Sequence, residues 1–170
     1  TSITVILKAN VSEFGYNSAT ESYIFGTPMF GGNNDAGFSI RTHSNGNKFQ
    51  VAAGGNSNVA YAESNTKMII TWYNVAMVLD QTTDTISLYI DGLLESTVSI
   101  SQIGAIMNTN HLNIGCMHAS GYFNAFYSGK VDDISMWNAA LTQQEIQNYM
   151  NCSPTGNEIS LVGLWNFEDN

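Results

Sequence analysis

The chain has 170 residues, 44% of them hydrophobic, which fits a single domain with a sizeable core. Only 11% are charged, against about a quarter in ordinary soluble proteins, and Asn, Ser, Thr and Gln supply the polarity instead. Fourteen acids against five bases give a formal net charge of −9, which argues against nucleic acid and anionic membranes as partners, since both are held by clusters of Lys and Arg.

In chain order, Ile3, Val5 and Leu7 alternate with Thr4, Ile6 and Lys8, which predicts a strand over residues 1–9. Residues 10–21 are polar and read as a loop. A short strand over 23–25 is stopped by Gly26 and Pro28, and the run Gly31-Gly32-Asn33-Asn34-Asp35 makes 29–37 a turn-rich loop. Phe38-Ser39-Ile40-Arg41-Thr42 alternates again, and Asn45-Gly46 signals a tight hairpin to a partner strand over 49–52. Gly54 to Asn58 reads as another turn. The apolar stretch 68–80 predicts two strand segments joined near Trp72. Ile86, Leu88 and Ile90 alternate with Ser87, Tyr89 and Asp91 in a half-buried strand, and Asp91-Gly92 turns the chain into a strand over 93–98. Further strands are expected over 112–116, 130–137 and 161–167.

One helix is expected, over 141–150, with Thr142 and Glu145 at the spacing of a capping box and Pro154 and Gly156 beyond its end. Its apolar side is read as Leu141, Glu145, Ile146, Tyr149 and Met150. The fold class is therefore all-β: two antiparallel sheets packed as a sandwich, with one short C-terminal helix.

Cys116 and Cys152 are too few for a disulfide scaffold, and no CxxC spacing suggests zinc. A bond between them would close a loop of about 36 residues, worth ~3–4 kcal/mol; whether their Cα atoms come close enough is not a property of the sequence. No run of about 20 apolar residues suggests a transmembrane segment. The strand pattern begins at Thr1, so the domain is expected to be part of a longer protein.

Trp72-Tyr73-Asn74-Val75-Ala76-Met77-Val78-Leu79-Asp80 is followed by Ile86-Ser87-Leu88-Tyr89-Ile90-Asp91-Gly92 and Leu112-Asn113-Ile114-Gly115. Then come Tyr127-Ser128-Gly129-Lys130-Val131-Asp132-Asp133-Ile134-Ser135-Met136-Trp137-Asn138 and Leu141-Thr142-Gln143-Gln144-Glu145-Ile146. This ordered set resembles the laminin G-like and pentraxin-like jelly rolls of the concanavalin A-like lectin/glucanase superfamily. It covers residues 68–167, whereas 1–67 match by strand pattern alone. The resemblance implies a non-catalytic carbohydrate-binding module of a secreted or cell-surface protein. Its partner would be a polysaccharide or other glycan, bound in a shallow groove. The alternative is a protein-binding adhesion or spacer domain. It also implies that Trp72, Trp137 and Trp165 occupy core positions.

Glycan hydrolases of this superfamily carry paired carboxylates in a Glu-x-Asp-x-(x)-Glu pattern, because two carboxyls must flank the scissile bond. That pattern is absent. Asp132 and Asp133 are adjacent, so regular strand alternation would point them to opposite faces. His43, His111 and His118 are scattered. The chain reads as non-enzymatic.

Pentraxin-like relatives place an acidic calcium cluster after the strand corresponding to Ile114-Gly115, where this chain has Cys116-Met117-His118. A weaker calcium site is still expected at Asn33, Asn34 and Asp35, whose hard oxygens suit the ion; the plainer reading is a solvated turn. For sugar stacking, the candidate ligand residues are Tyr61, His118, Tyr122, Phe123 and Asn124. Phe126 and Tyr127 lie in the same aromatic segment but are read as tucking under the sandwich edge.

Overall fold

A computed structural model of the chain describes residues 2–12, 21–27, 36–43, 47–55, 58–65, 67–104, 106, 111–119 and 122–168. Six strands form one antiparallel sheet: β1 (Ile3–Val11), β6 (Trp72–Asp80), β7 (Thr85–Ile90), β8 (Leu93–Ser99), β12 (Gly129–Trp137) and β13 (Leu161–Trp165), in the order β13-β12-β1-β6-β7-β8. Five form the second: β2 (Glu21–Gly26), β3 (Gly37–His43), β4 (Lys48–Gly55), β5 (Asn58–Glu63) and β9 (Asn113–Ile114), in the order β5-β4-β3-β2-β9. A small hairpin, β10 (Met117–Ala119) and β11 (Tyr122–Asn124), stands apart from both. The expected all-β sandwich with one short helix is what the chain forms.

Alternation explains how the sheets close on each other. Leu7 of β1, Met77 and Leu79 of β6 and Leu88 of β7 pack with Ile40 of β3 and Phe49 of β4 in one core between the sheets. Each such side chain, fully withdrawn from water, contributes about 1.5–3 kcal/mol. The Asp91-Gly92 turn works as its composition requires: both residues have positive φ, +49° and +77°, the geometry of a tight hairpin between β7 and β8.

The helix α1 (Gln143–Asn151) covers part of the outer face of the six-stranded sheet. Ile146 is fully buried against Ile6, Ala76 and Val78, with Leu141, Tyr149 and Met150 around it. Glu145, read as part of that apolar side, instead turns back to cap the helix. Its carboxylate accepts from the Thr142 amide at 2.7 Å, while the Glu145 amide donates to Thr142 Oγ1 at 3.3 Å. Those donors hold the Glu145 carboxyl below its ordinary pKa. A lowered folded-state pKa contributes stability that is present above the unfolded value and lost as pH falls through the folded one. Thr142→Ala should therefore cost about 1 kcal/mol at neutral pH, and urea titrations should show that cost shrinking in acid.

One expectation is corrected, one strand is added, and the open question of the two cysteines is answered. The apolar run before Trp72 is not a strand: β6 begins at Trp72, and Ile69 and Ile70 are exposed. The chain does reverse direction within Gly54–Asn58, between β4 and a further strand, β5, that was not expected. Cys116 is half-buried, Cys152 exposed, and both are free thiols.

Candidate functional site

In antiparallel pairs, residues directly opposite share a face. On the five-stranded sheet Ile40, Val51 and Ala62 face the core in one such row. The next row, Tyr23–Arg41–Gln50–Glu63, faces outward, and so does Gly26–Ser39–Ala52–Tyr61. The outer face is thus polar in one row and small in the next, with Tyr61 at its β5 edge.

Arg41, the only arginine, organises this face. It is 3% exposed, and a buried charge survives only when paired and hydrogen-bonded. Its Nε donates to Gln50 Oε1 at 2.6 Å, and its Nη1 donates to Glu21 Oε2 at 2.5 Å and to the Tyr23 hydroxyl at 3.1 Å. Gln50 donates on to Glu63 at 2.6 Å, and Lys48 pairs with Glu63 at 3.6 Å. Burial raises the Tyr23 pKa despite the nearby guanidinium, so its phenol stays neutral. Tyr61, 46% exposed, holds its ring 4.8 Å from the guanidinium, within range for a cation–π contact. Three buried polar atoms on this face, Arg41 Nη2, Ser39 Oγ and His43 Nδ1, have no hydrogen-bond partner, His43 Nδ1 lying 3.9 Å from a Glu63 carboxylate oxygen.

The hairpin β10–β11 stands beyond the opposite edge. Four strand spacings separate β5 from β9, about 19 Å. Its base is fixed to β2: Gly115 N–H donates to Ile24 O at 2.9 Å, and Tyr23 N–H donates to Ala125 O at 2.9 Å. Gly115 itself has φ +76°, which lets the chain leave β9 sharply. The expected ligand residues here fall on two sides. His118 and Phe123 are directly paired and stack, with centroids 4.4 Å apart, whereas Tyr122 and Asn124 alternate to the other face. Tyr122 and Phe123 are the more exposed rings, at 76% and 60%. The structure therefore joins His118 to Phe123, places Tyr122 and Asn124 on the reverse, and sets Tyr61 apart from all four. Of the remaining aromatics, Tyr127 packs against the core and burial raises its pKa, while Phe126 is half exposed rather than tucked under the edge.

Asn33, Asn34 and Asp35 lie outside the described residues. At the position corresponding to the pentraxin-type calcium cluster, the side chains do not fit that ion. Cys116 and Met117 offer sulfur and His118 nitrogen where calcium takes oxygen, and burial raises the Cys116 pKa, keeping the thiol protonated. Among the described residues no three His, Cys, Asp or Glu side chains gather around a possible metal position.

Two readings of the other sheet are also corrected. Trp137 is fully buried and Trp165 packs edge-on against Phe25, as expected of core residues, but Trp72 is 45% exposed. It is the first residue of β6 and lies opposite Asn10 on the outer face, past the part that α1 covers. Asp132 and Asp133 do not follow strand alternation either. The register of β1 against β12 shifts between Ile6 and Lys8, leaving one extra residue on β12, and Asp133 takes φ +47° there. Lys8 is opposite Asp132 in the ladder and also reaches Asp133 Oδ2 at 2.6 Å. The bulge thus brings both carboxylates beside one lysine. Sequence reasoning passed over Trp72, Arg41 and Lys8. A lone arginine at an alternating strand position was the one visible signal among them.

Residues 2–147 match the family described as the concanavalin A-like lectin/glucanases superfamily. No curated protein matches the chain by sequence. Among solved structures, a Bacteroides ovatus protein inferred to bind carbohydrate is similar over 97% of this chain, with TM-score 0.76 and 19% identity. A heptameric SAP-like pentraxin of Limulus polyphemus is similar over the same share, with TM-score 0.71 and 20% identity, and 79% of its own chain is covered. The CBM40 module of a Ruminococcus gnavus IT-sialidase, in a structure bound to α2,3-sialyllactose, is similar over 86% of this chain and 81% of its own, with TM-score 0.63 and 14% identity. The chain spans 45% of the Bacteroides ovatus protein. At these identities the likeness is one of fold.

Proposed function

The chain belongs to the concanavalin A-like lectin/glucanase superfamily, and from that premise we propose that it is a non-catalytic glycan-binding module of a secreted or cell-surface protein. The binding face is the outer side of the five-stranded sheet, with Tyr61 at one edge and the β10–β11 hairpin beyond the other. One observation carries this reading: an exposed tyrosine ring is held over a buried arginine. The guanidinium and the Ser39 hydroxyl lie closed to solvent beneath it, so the ring and the edge around it are what a sugar meets. The ring supplies the apolar surface that the C–H face of a pyranose needs. Charge on this face is balanced, with Arg41 and Lys48 against Glu21 and Glu63. The likeness to carbohydrate-binding modules supports the class of ligand and leaves its identity to experiment. Calcium at Asn33, Asn34 and Asp35 stays in the proposal as an auxiliary, supported by the oxygen chemistry of those side chains. No helix among the described residues is long and apolar enough to cross a membrane.

A glycan array on the purified domain, with calcium and then with EDTA, tests the proposal. Selective binding is the expected result, and a signal lost in EDTA assigns a role to the calcium loop. Tyr61→Ala and the pair Tyr122→Ala with Phe123→Ala should each weaken the selected glycan about tenfold, the equivalent of ~1.4 kcal/mol. Silence in both conditions would overturn the glycan reading and leave a protein-binding or spacer domain.

A further inference from the structure

The outer face of the six-stranded sheet is only partly covered. Helix α1 sits on Ile6, Ala76 and Val78. Two cross-strand rows lie beyond it: Asp132–Lys8–Asn74 and Lys130–Asn10–Trp72, each drawn from β12, β1 and β6. Lys8, Trp72, Tyr73, Asn74 and Asp132 line an open cleft of about 440 Å³, within the range of small-ligand sites. Lys8 and Asn74 also line a narrower pocket of about 50 Å³ that runs beneath Tyr149 and Pro154 to Asn166. The two share Lys8 and Asn74.

The chemistry of this cleft is specific. Of the three tryptophans, Trp137 is fully buried and Trp165 is partly buried against Phe25, so Trp72 is the most exposed indole. Beside it stand an amide that can donate and accept (Asn74), a carboxylate acceptor (Asp132) and an ammonium donor (Lys8). The Lys8 charge is matched at 2.6 Å by Asp133. With Asp133 beside the rows and paired to Lys8, the charges of Lys8 and Lys130 are balanced by Asp132 and Asp133, so a sulfated or carboxylated ligand gains no attraction. Nucleic acid is disfavoured for the same reason. An exposed indole ringed by mixed donors and acceptors suits a neutral sugar ring, its C–H face on the indole and its hydroxyls on the polar groups.

We infer that this cleft is a second saccharide site, for a neutral pyranose within a polysaccharide chain. The inference rests on the glycan-binding reading for its ligand class, but uses a different sheet and different residues. Sites on opposite faces of a sandwich cannot serve one stretch of chain, so the module would cross-link two. On a surface carrying many chains, the second contact would then form at a raised effective concentration.

The test uses the intact domain with cellohexaose, mannohexaose and xylohexaose as neutral probes and a galacturonate oligomer as the acidic comparator. Binding is read by calorimetry and by tryptophan emission, in which Trp72 is the most exposed reporter and its share is identified by loss of the change in Trp72→Ala. The expected result is an emission change with at least one neutral probe and none with galacturonate. Asn74→Ala and Asp132→Asn, which keep the indole reporter, should each weaken that response about tenfold. Trp72→Ala should remove the matching heat, with the thermal midpoint retained because the side chain is exposed. The Tyr61 and Tyr122/Phe123 variants should leave the emission change intact. Unaltered binding heat in Trp72→Ala, or no response to any neutral probe, would overturn the second site. Failure of the first site shows separately, as Tyr61 and hairpin variants that bind like the parent while the Trp72 response persists.

Discussion

Trp137→Ala is expected to lower stability by about 3–5 kcal/mol, the range for deleting a large buried aromatic side chain. In a domain of this length that corresponds to a fall in melting temperature of roughly 10 °C. Trp137 heads the largest fully buried side chains of the domain. Its ring lies 4.4 Å from Tyr149 of α1, and its Nε1 donates to Ser135 Oγ at 3.2 Å. It is therefore the contact that ties the end of β12 to the helix. The same junction is fixed by Thr4, whose Oγ1 donates to Ala139 O at 2.7 Å and accepts from the Leu141 amide at 3.0 Å. Deleting the indole opens a cavity under α1 that Tyr149 cannot fill without leaving Ile146. Urea unfolding measures the loss, and hydrogen exchange over 143–151 should show that helix deprotected first. Trp137→Phe keeps most of the packing and loses the Ser135 bond, so about 1–2 kcal/mol is expected. Equal losses in the two variants would mean that the hydrogen bond, and not the packed ring, holds the junction.

The parts of the fold legible in the sequence are those where local signals and tertiary packing agree. Strands β1, β3 and β7 were legible because apolar residues alternate along each of them and face the core, although in β3 the intervening polar residues are buried as well. Thr142 and Glu145 announce the helix start, and Asp91-Gly92 the β7–β8 turn. Strand β5 escaped notice because Asn58-Val59-Ala60-Tyr61-Ala62-Glu63 is an edge strand of mostly small residues with only Ala62 fully buried. Ile69 and Ile70 misled for the opposite reason: β-branched residues favour strands, yet here the chain exposes them.

The candidate sites were less legible, because each depends on strands far apart in sequence. Trp72 looks like a core residue until the position of α1 shows where cover ends on the outer face. Asp132 and Asp133 come together beside Lys8 only through a bulge, and no residue type in that segment forces one. The aromatic hairpin was found by composition. Its division into a His118–Phe123 side and a Tyr122–Asn124 side follows from a two-strand register that was read as loop.

Arg41 gives the sharpest case, and its replacement should separate stability from binding. Two strands supply its partners, Glu21 and Tyr23 from β2 and Gln50 from β4, and β3 between them carries Arg41 itself. Arg41→Ala leaves Gln50, Tyr23 and Glu21 without their donor. Removing one member of a buried pair costs about 3–5 kcal/mol, and because Glu21 is about a third exposed, roughly 2–4 kcal/mol is expected after solvent screening. Arg41→Lys should recover little, since one ammonium cannot present the planar fork that meets Gln50, Glu21 and Tyr23 at once. Replacing both charges, Arg41→Met with Glu21→Gln, should bring stability back to within about 1 kcal/mol of the parent, as uncharged pairs of similar volume often do. The face would then be folded but changed in chemistry, because Tyr61 loses the guanidinium beneath its ring. Glycan affinity in this double variant should therefore stay at least tenfold down while its urea midpoint recovers. Parental affinity in the refolded double variant would remove Arg41 from the binding face and leave it a purely structural residue. A double variant as unstable as Arg41→Ala would show that the shape of the guanidinium, and not its pairing with Glu21, keeps β2, β3 and β4 in register.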